Sequence, residues 1–162
     1  MKIFDTIIIG GGPGGYTAAI YATRGGMQTM LIKSAFKQSQ ITLTEDVENY
    51  PGFELISGFE LMAKFSEQAD KFGLEAVDGD VDSVKRDGDY WAVSVGDDVY
   101  KTRTIIISTG AAPNKLGANG EIELTGRGVS YCATCDGPFY RNREVVVVGG
   151  GDTAVQEACF LT

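Results

Sequence analysis

Apolar and polar positions near the start of the chain predict a strand, a glycine turn, a helix and a second strand. Residues 4–9 are a β-branched run of the kind found in buried strands. Residues 10–15 form the turn, residues 16–24 an Ala-rich helix, and residues 27–32 the second strand. Two strands that are joined by a helix lie parallel to each other in a sheet. The pattern therefore predicts one βαβ unit.

The middle of the chain changes from helical spacing of apolar positions to strict alternation. A capping box precedes the helical stretch, and Gly73 closes it. Alternation from Val81 onward predicts short strands, including a small antiparallel meander, and then an apolar strand. The predicted elements are a helix capped by Ser57 and Glu60, meander strands at residues 90–95 and 99–103, and a strand at residues 105–108.

A Pro- and Gly-containing loop near residues 111–117 is the expected domain boundary. Beyond it, the Val run at residues 145–148 predicts another strand, followed by a second glycine turn and a final helix. The helix contains Cys159 between Ala158 and Phe160, which predicts a small buried side chain at that position. The strand-and-glycine-turn pattern therefore occurs twice in the chain.

Composition narrows the possible functions. The net charge of -8 disfavours nucleic acid as a partner, and the count of His is 0, which excludes Ser-His-Asp triads and His-ligated metal sites. Hydrophobic residues make up 43%, yet no apolar run approaches the roughly 18 residues of a membrane helix. Three cysteines do not suggest a secreted disulfide framework. We therefore expect a cytoplasmic protein without a membrane segment.

The first glycine turn fits the dinucleotide-binding fingerprint G-x-G-x-x-G. Gly10 permits the turn, Gly12 lets a pyrophosphate approach the backbone, and Gly15 lets the helix pack closely on the strand. An acid about 20 residues further on normally holds the ribose hydroxyls. Lys33 stands there instead, and it either favours a 2′-phosphate or is a solvated surface lysine, the second being preferred.

The second glycine turn fits G-x-G-x-x-A. Gly149, Gly151 and Ala154 follow the predicted strand at residues 145–148 and open the final helix. Two fingerprints in one chain suggest two dinucleotides, such as a flavin and a nicotinamide carrier. The alternative is that one of the two turns is only structural.

A Cys-x-x-Cys motif is the third candidate site. Cys132 and Cys135 form either half a zinc site or a redox pair. Zinc would need two more ligands, which only Cys159 or carboxylates could supply, so we favour redox exchange and expect no metal. Asp136 either moves protons for the pair or serves as a turn residue before Gly137.

Five motifs occur in a specific order along the chain. They are Gly10-x-Gly12-x-x-Gly15, Val47-Glu48-Asn49-Tyr50-Pro51-Gly52, Ser108-Thr109-Gly110-Ala111, Cys132-Ala133-Thr134-Cys135-Asp136-Gly137 and Gly149-Gly150-Gly151-Asp152-Thr153-Ala154. This order resembles the low-molecular-weight thioredoxin reductases of bacterial and archaeal type. The resemblance covers the whole chain but only about the first half of a family member.

The resemblance implies an α/β fold with two domains. Residues 1–114 would be the N-terminal part of a Rossmann-like FAD-binding domain, with a parallel sheet and an antiparallel meander. Residues 115–162 would begin a second Rossmann-like domain, which binds NADPH and carries the redox Cys-x-x-Cys. The unit that begins at Glu144 has a strand and part of a helix before Thr162, so we expect a fragment unable to complete an NADPH-dependent cycle alone.

The resemblance also implies the site residues. Those expected to bind FAD are Gly10, Gly12, Pro13, Gly15, Lys33, Gln40, Asn49, Val81, Thr109, Gly110 and Ala111. Those expected to bind NADPH are Gly149, Gly151, Asp152, Thr153 and Ala154. Asn49 would lie by the isoalloxazine and Val81 would meet the adenine through its backbone. Cys135 would face the flavin, Cys132 would attack thioredoxin, and Asp136 would be the acid–base group.

The implied activity is electron transfer from NADPH through FAD and the Cys132–Cys135 disulfide to thioredoxin, in a homodimer. Two alternatives remain: a related reductase with another donor such as ferredoxin, and a flavin-binding fragment without turnover. Two positions depart from the family pattern. Gln38-Ser39-Gln40 replaces the usual Gly-Gly-Gln, and Asp152 stands where Asn is frequent, so that its charge would weaken NADPH binding.

Overall fold

The structure of the chain, a computed structural model, describes residues 2–35, 37 and 39–162. The chain forms two compact units. The first ends at Ala112, and the second runs from Pro113 to Thr162. Within the described residues, no helix is long and apolar enough to cross a bilayer.

One mixed sheet organises the first unit. Its strands, numbered along the described chain, are β1 (Ile3–Ile9), β2 (Thr29–Lys33), β3 (Glu75–Asp78), β4 (Ser83–Asp87), β5 (Tyr90–Val95) and β6 (Asp98–Ile107). Their order in the sheet is β3-β2-β1-β6-β5-β4. β1 pairs in parallel with both β2 and β6, whereas β4, β5 and β6 form an antiparallel meander. The predicted α/β class, with its βαβ unit and meander, is confirmed.

Among the described residues, two helices belong to the first unit, and two more lie in the second unit, one of them within the disulfide motif. The helices are α1 (Pro13–Arg24), α2 (Gly58–Asp70), α3 (Ala133–Asp136) and α4 (Asp152–Phe160), with 3-10 turns at Gln40–Leu43 and Gly137–Tyr140. The predicted capping box at the start of α2 is confirmed, because Ser57 Oγ accepts a hydrogen bond from the Glu60 amide at 3.2 Å. That bond satisfies a backbone donor that the helix itself leaves unpaired.

Neighbouring residues of β1 are buried on opposite faces of the sheet. Ile8 packs with Leu31 and with α1 residues such as Ala19, while Ile7 packs with Met30 and, from the meander, Val93. Ile7 and Ile8 are both 0% exposed. A strand covered on both faces carries a continuous apolar run rather than an alternating one, which is why residues 4–9 predicted a buried strand.

The third meander strand and the apolar strand expected after it are a single strand. β6 runs through from Asp98 to Ile107, and its residue Thr104 pairs with Thr6 of β1 in the parallel ladder. The prediction of separate strands at residues 99–103 and 105–108 is therefore wrong. No Gly or Pro interrupts the segment, so it changes partner from β5 to β1 without a turn.

The strand expected at residues 145–148 is not formed. These valines are exposed, from 38% at Val147 to 86% at Val146. β-Branched residues favour extended backbone, but a strand also needs a neighbour that accepts and donates its ladder bonds, and no described segment pairs here. Conversely, the strand at Glu75–Asp78 was not predicted, because its acidic ends give no apolar pattern.

Candidate functional site

The first glycine turn is closed by contacts that exclude any side chain at two positions. Gly10 has φ +116°, and a Cβ added there would lie 2.2 Å from the Ser108 carbonyl oxygen. A Cβ added to Gly15 would lie 1.8 Å from the Gly10 carbonyl oxygen. The Gly10 amide also donates to the Ile32 carbonyl at 2.8 Å. The turn is thus wedged between the ends of β2, β6 and the first turn of α1.

Gly12, the middle glycine, has room for a side chain instead. The nearest atom to a Cβ added there is Ser39 Cβ, at 3.8 Å. Gly12 is the N-cap of α1, with Pro13 following, and no side chain caps the helix and no acid lies in its first turn. Unpaired amides and the positive end of the helix dipole therefore meet at a position that a ligand can approach, which suits a pyrophosphate.

Ser39 adds a polar group beside this opening. Its Oγ is buried and has no hydrogen-bond partner among the described residues. Ser39 lines a cavity of about 250 Å³ together with Gly11, Tyr16 and Thr42. A buried hydroxyl without a partner is unfavourable, so a ligand oxygen placed there would satisfy it. These residues fit a bound dinucleotide phosphate. Gln38, which precedes Ser39 in the same departure from the family pattern, lies outside the described residues.

Lys33 ends β2 and is engaged in an ion pair. Its Nζ donates a hydrogen bond to Asp78 at the end of the neighbouring strand β3. That hydrogen bond raises the pKa of Lys33 above its usual value, against a smaller opposing effect of desolvation. The Lys33 stem lies on the glycine turn, because a Cβ added to Gly11 would be 2.5 Å from Lys33 Cβ.

Two further residues named by the sequence meet across the first unit. Gln40 Nε2 donates to the Ala111 carbonyl at 2.9 Å, although the residues are 71 positions apart. Gly110 has φ +69°, and Thr109, Gly110 and Ala111 are all exposed.

Val81 packs against the hydrophobic cluster that contains Ile7 and Ile32. Asn49 is exposed, and it forms no hydrogen bond within the described part of the chain.

The Cys-x-x-Cys motif forms a disulfide in the second unit. Cys132 and Cys135 are bonded to each other with Cα atoms 5.3 Å apart. Cys132 is half-buried and caps the short helix α3, its Sγ accepting from the Cys135 amide at 3.2 Å, whereas Cys135 is exposed. Among the described residues, no cluster of three or more potential metal ligands occurs. The bonded sulfurs favour redox exchange over zinc binding.

Ser130 connects the disulfide turn to Asp136. The Ser130 hydroxyl donates to Asp136 Oδ2, and Ser130 Oγ accepts from the Cys132 amide at 3.1 Å. Ser130 was not among the site residues predicted from the sequence. The signal was present, because Ser commonly bonds to the backbone two residues further on and so begins such turns. The bond from Ser130 therefore gives the Asp136 carboxylate a defined position beside the disulfide turn.

Cys159 is exposed, so the prediction of a buried side chain is wrong. Helix α4 turns one stripe inward, formed by Ala154, Glu157, Ala158 and Leu161, which are half-buried at helical spacing. Glu157 Oε1 accepts from the Ala133 amide at 3.2 Å, which ties α4 to the disulfide helix. Cys159 follows this stripe by one residue and points away from it.

The second glycine turn opens α4. Gly149 has φ +144°, and a Cβ added there would lie 2.9 Å from Ala154 Cβ. Gly151 is the N-cap, and nothing lies within 4 Å of a Cβ added to Gly150 or Gly151. Asp152 occupies the first turn of the helix and is exposed. The turn resembles the first in its open middle, but it brings its own negative charge to the helix N-terminus.

Glu121 is the residue of the second unit that sequence reasoning missed most clearly. It is 6% exposed and accepts hydrogen bonds from the Tyr131 hydroxyl and from the amides of Leu116 and Gly117. These bonds, that of Tyr131 first, lower the pKa of Glu121 to about 2. No local pattern signals that a single carboxylate organises a loop through partners on both sides of it.

The mixed sheet, the glycine turns and the Cys132–Cys135 disulfide are the features of a Rossmann-like α/β disulfide oxidoreductase. Residues 4–162 match the pyridine nucleotide-disulphide oxidoreductase family, and the chain belongs to that family. It is 52% identical to thioredoxin reductase of Bacillus subtilis (strain 168) over 161 residues, which are 99% of this chain and 51% of the relative. The chain thus spans about half the length of the curated relatives it matches.

Solved structures give the same result. Thioredoxin reductase from Streptococcus pyogenes MGAS5005 matches with a TM-score of 0.91 and 47% identity, over 98% of this chain and 52% of that one. A ferredoxin-flavin thioredoxin reductase from Clostridium acetobutylicum matches with a TM-score of 0.65 and 38% identity, over 100% of this chain and 56% of that one. The resemblance to thioredoxin reductases stated from the motifs is confirmed.

Proposed function

We propose that this chain provides the flavin site and the redox disulfide of an NADPH-dependent thioredoxin reductase. The overall reaction is NADPH + H⁺ + thioredoxin disulfide → NADP⁺ + thioredoxin dithiol. The observation that supports it most is the Cys132–Cys135 disulfide, in a chain 52% identical to a thioredoxin reductase. Thioredoxin is then the partner, the enzyme acts as a homodimer, and the cytoplasm is its compartment.

FAD belongs at the first glycine turn, in the domain of residues 1–114. Gly12, Pro13 and the amides that follow Pro13 at the start of α1 would hold the pyrophosphate, and the Ser39 hydroxyl would donate a hydrogen bond to it. Gly10 and Gly15 are needed to shape the turn, while Gln40 holds Ala111 beside it. The bound flavin supplies two-electron chemistry between nicotinamide and disulfide. Lys33, Asn49, Val81, Thr109 and Gly110 complete the proposed FAD contacts.

NADPH belongs at the second glycine turn, in the domain of residues 115–162. Gly149, Gly151, Thr153 and Ala154 form the turn, with the open middle that a pyrophosphate requires. The Asp152 carboxylate in the first turn of α4 competes with a phosphate for the same helix N-terminus. We therefore propose weaker NADPH binding than an uncharged residue at position 152 would give.

The disulfide transfers its electrons by thiol–disulfide exchange. After two-electron reduction, the Cys132 thiolate attacks the thioredoxin disulfide and forms a mixed disulfide, releasing one thioredoxin thiolate. Cys135 then attacks Cys132, which restores the intramolecular bond and releases the second thiolate. Asp136, positioned by Ser130, donates protons to the thiolates that leave. Cys159 takes no part in this exchange.

A second candidate keeps the disulfide chemistry and changes the electron donor to ferredoxin. The match to the ferredoxin-flavin thioredoxin reductase favours it, because that similarity covers 100% of this chain. The complete Gly149 to Ala154 fingerprint favours NADPH instead. A third possibility, a flavin-binding fragment without turnover, shares the first glycine turn and differs only in lacking exchange at the disulfide.

The test separates binding from exchange. FAD is titrated into the purified chain and followed by flavin fluorescence, and the complex is then reduced anaerobically by light with a sacrificial donor. We expect saturable FAD binding and two additional thiols per chain after reduction, with none gained in Cys135→Ser. Bound FAD without new thiols would support the non-catalytic fragment. Reduction of the flavin by reduced ferredoxin in place of light would support the second candidate donor.

A further inference from the structure

The end of β2 carries a cation where dinucleotide-binding βαβ units usually carry an acid. In such units a carboxylate about 20 residues beyond the glycine fingerprint accepts the ribose hydroxyls. Lys33 fills that place, with its stem packed against Gly11 of the turn. An ammonium only donates hydrogen bonds, so it cannot accept from a ribose hydroxyl. The acceptor that the ribose needs is absent from β2.

A carboxylate stands on the neighbouring strand instead. Asp78 ends β3 opposite Lys33 in the parallel register, and Lys33 Nζ donates to its Oδ1. The Gly79 amide donates to the Lys33 carbonyl at 2.9 Å, which extends the pairing of the two strand ends. Asp78 Oδ2 has no hydrogen-bond partner among the described residues, and the Asp78 side chain is 61% exposed. One carboxylate oxygen is therefore fixed and the other is free for a ligand.

The charges of the Lys33–Asp78 pair bear on whether a ribose bound there could carry a 2′-phosphate. An unpaired lysine at this edge would attract a 2′-phosphate, as Lys and Arg do at phosphate sites. Here the Lys33 charge is already compensated by Asp78. A 2′-phosphate would bring further negative charge beside the Asp78 carboxylate, and such like-charge contact is unfavourable.

We infer that Asp78, positioned by Lys33, binds the adenosine ribose of the dinucleotide at the first glycine turn and selects against a 2′-phosphate. The inference rests on the FAD site proposed above and adds a specificity-determining residue to it. The carboxylate that usually ends β2 is thus found at the end of β3, as Asp78. Lys33, which ends β2 here, orients that carboxylate.

The experiment measures adenosine preference by competition. FAD bound to the full chain is displaced by adenosine 5′-diphosphate or by adenosine 2′,5′-bisphosphate. We expect the unaltered chain to prefer the unphosphorylated ribose. In Asp78→Asn, FAD affinity falls about tenfold, as expected for one lost charge-assisted hydrogen bond, and the freed Lys33 shifts the preference toward the 2′-phosphate. The readout is a ratio of affinities and needs no turnover.

The matched control is an ion pair at the other end of the same strand. Lys2 contacts Glu75 at the start of β3, so Glu75→Gln removes another exposed ion pair of β3 and should leave both affinities unchanged. Lys33→Met, a second variant, should weaken FAD binding without any gain for the 2′-phosphate. Asp78→Asn with unaltered FAD affinity and unaltered preference overturns this inference alone. Absence of FAD binding by the unaltered chain overturns the proposed flavin site as well.

Discussion

The Tyr131 hydroxyl donates a hydrogen bond of 2.6 Å to the buried carboxylate of Glu121, ten positions earlier in the chain. The same carboxylate accepts two backbone amides from the loop at Leu116 and Gly117, so one ionised group holds the loop that begins the second unit. Lys115 lies over the Tyr131 ring at 4.3 Å and also donates to its hydroxyl. Charge at Glu121 is therefore coupled to the stability of this segment.

We predict that acid removes this stabilisation. The folded pKa of Glu121 is about 2, below its usual value of 4.5, so the charged form is favoured by folding. The contribution is complete above pH 4.5 and is lost as the pH falls toward 2. Urea unfolding of wild type and Glu121→Gln, measured from pH 7 to pH 2.5, should give midpoints that converge in acid. Glu123→Gln, an exposed neighbour, is the control; a pH-independent gap between Glu121→Gln and wild type would contradict the prediction.

Ser39→Ala should change stability and ligand affinity in opposite directions. Removing a buried hydroxyl without a partner stabilises the unliganded chain by about 1 kcal/mol, whereas losing a donor to the pyrophosphate weakens FAD binding about twofold to tenfold. Thermal unfolding and a flavin fluorescence titration measure the two effects. Ser83→Ala, which removes a bond to Ser94 in the meander, should leave FAD affinity unchanged. Weaker FAD binding without the gain in stability would show that Ser39 already has a partner.

The glycines of the first turn should divide into two classes when replaced by Ala. Gly15→Ala places a Cβ against the Gly10 carbonyl and should destabilise the fold by about 1–3 kcal/mol, as overpacking does. Gly12→Ala meets only Ser39 Cβ at 3.8 Å, so it should fold normally and lose dinucleotide affinity. Urea unfolding and FAD titration distinguish the two. Equal destabilisation by both substitutions would contradict the geometry of the turn.

Exchange at the disulfide should be independent of Cys159. Reduction should release two thiols per chain in wild type and also in Cys159→Ser, because the Cys159 thiol is exposed and unbonded in the oxidised protein. Thiol counts by a colorimetric reagent before and after reduction measure this directly. A change in the difference on removing Cys159 would mean that it pairs with Cys132 or Cys135.

Ser130→Ala should slow exchange without removing the disulfide itself. Without the Ser130 hydroxyl, Asp136 loses the hydrogen bond that fixes its carboxylate beside the disulfide turn. The rate of exchange between the reduced chain and a model disulfide should therefore fall, because a proton donor acts only from a fixed position. Ser130→Thr keeps the hydroxyl and should restore the rate. An unchanged rate in Ser130→Ala would leave Ser130 with only its bond to the Cys132 amide.

The local sequence pattern predicted those elements whose conformation is set by residues that are adjacent in the sequence. The apolar run of β1, the capping box at Ser57 and the three glycine positions of the first turn each have a direct conformational meaning. The strand predicted for the valines at residues 145–148 is not formed, because a strand needs a neighbouring strand to pair with. The residue types alone do not show whether such a neighbour is present. β3 is the opposite case: the strand is present but was not predicted, because Glu75–Asp78 is extended only through its pairing with β2.

The residues of the candidate site also fall into two groups, those that the sequence predicted and those that only the structure shows. Fingerprint spacing indicated both glycine turns and the cysteine pair, because these motifs are contiguous. Ser39, Ser130 and Asp78 could not be found this way: their relevance comes from an unpaired hydroxyl, a bond to Asp136 and a bond to Lys33, all of which require coordinates. Tertiary contacts, rather than propensity, define these three positions.

The parallel pairing of β1 with β6 has a consequence during synthesis. Phe4 of β1 and Thr102 of β6 meet across 98 positions, so the N-terminal strand is made long before its second neighbour exists. At translation rates of about 5–20 residues per second, β1 waits on the order of 5–20 s with one edge unpaired. A nascent chain in that interval exposes a β-branched edge to other nascent chains. We therefore expect production of this protein to depend on how the cell protects β1 while β6 is still being translated.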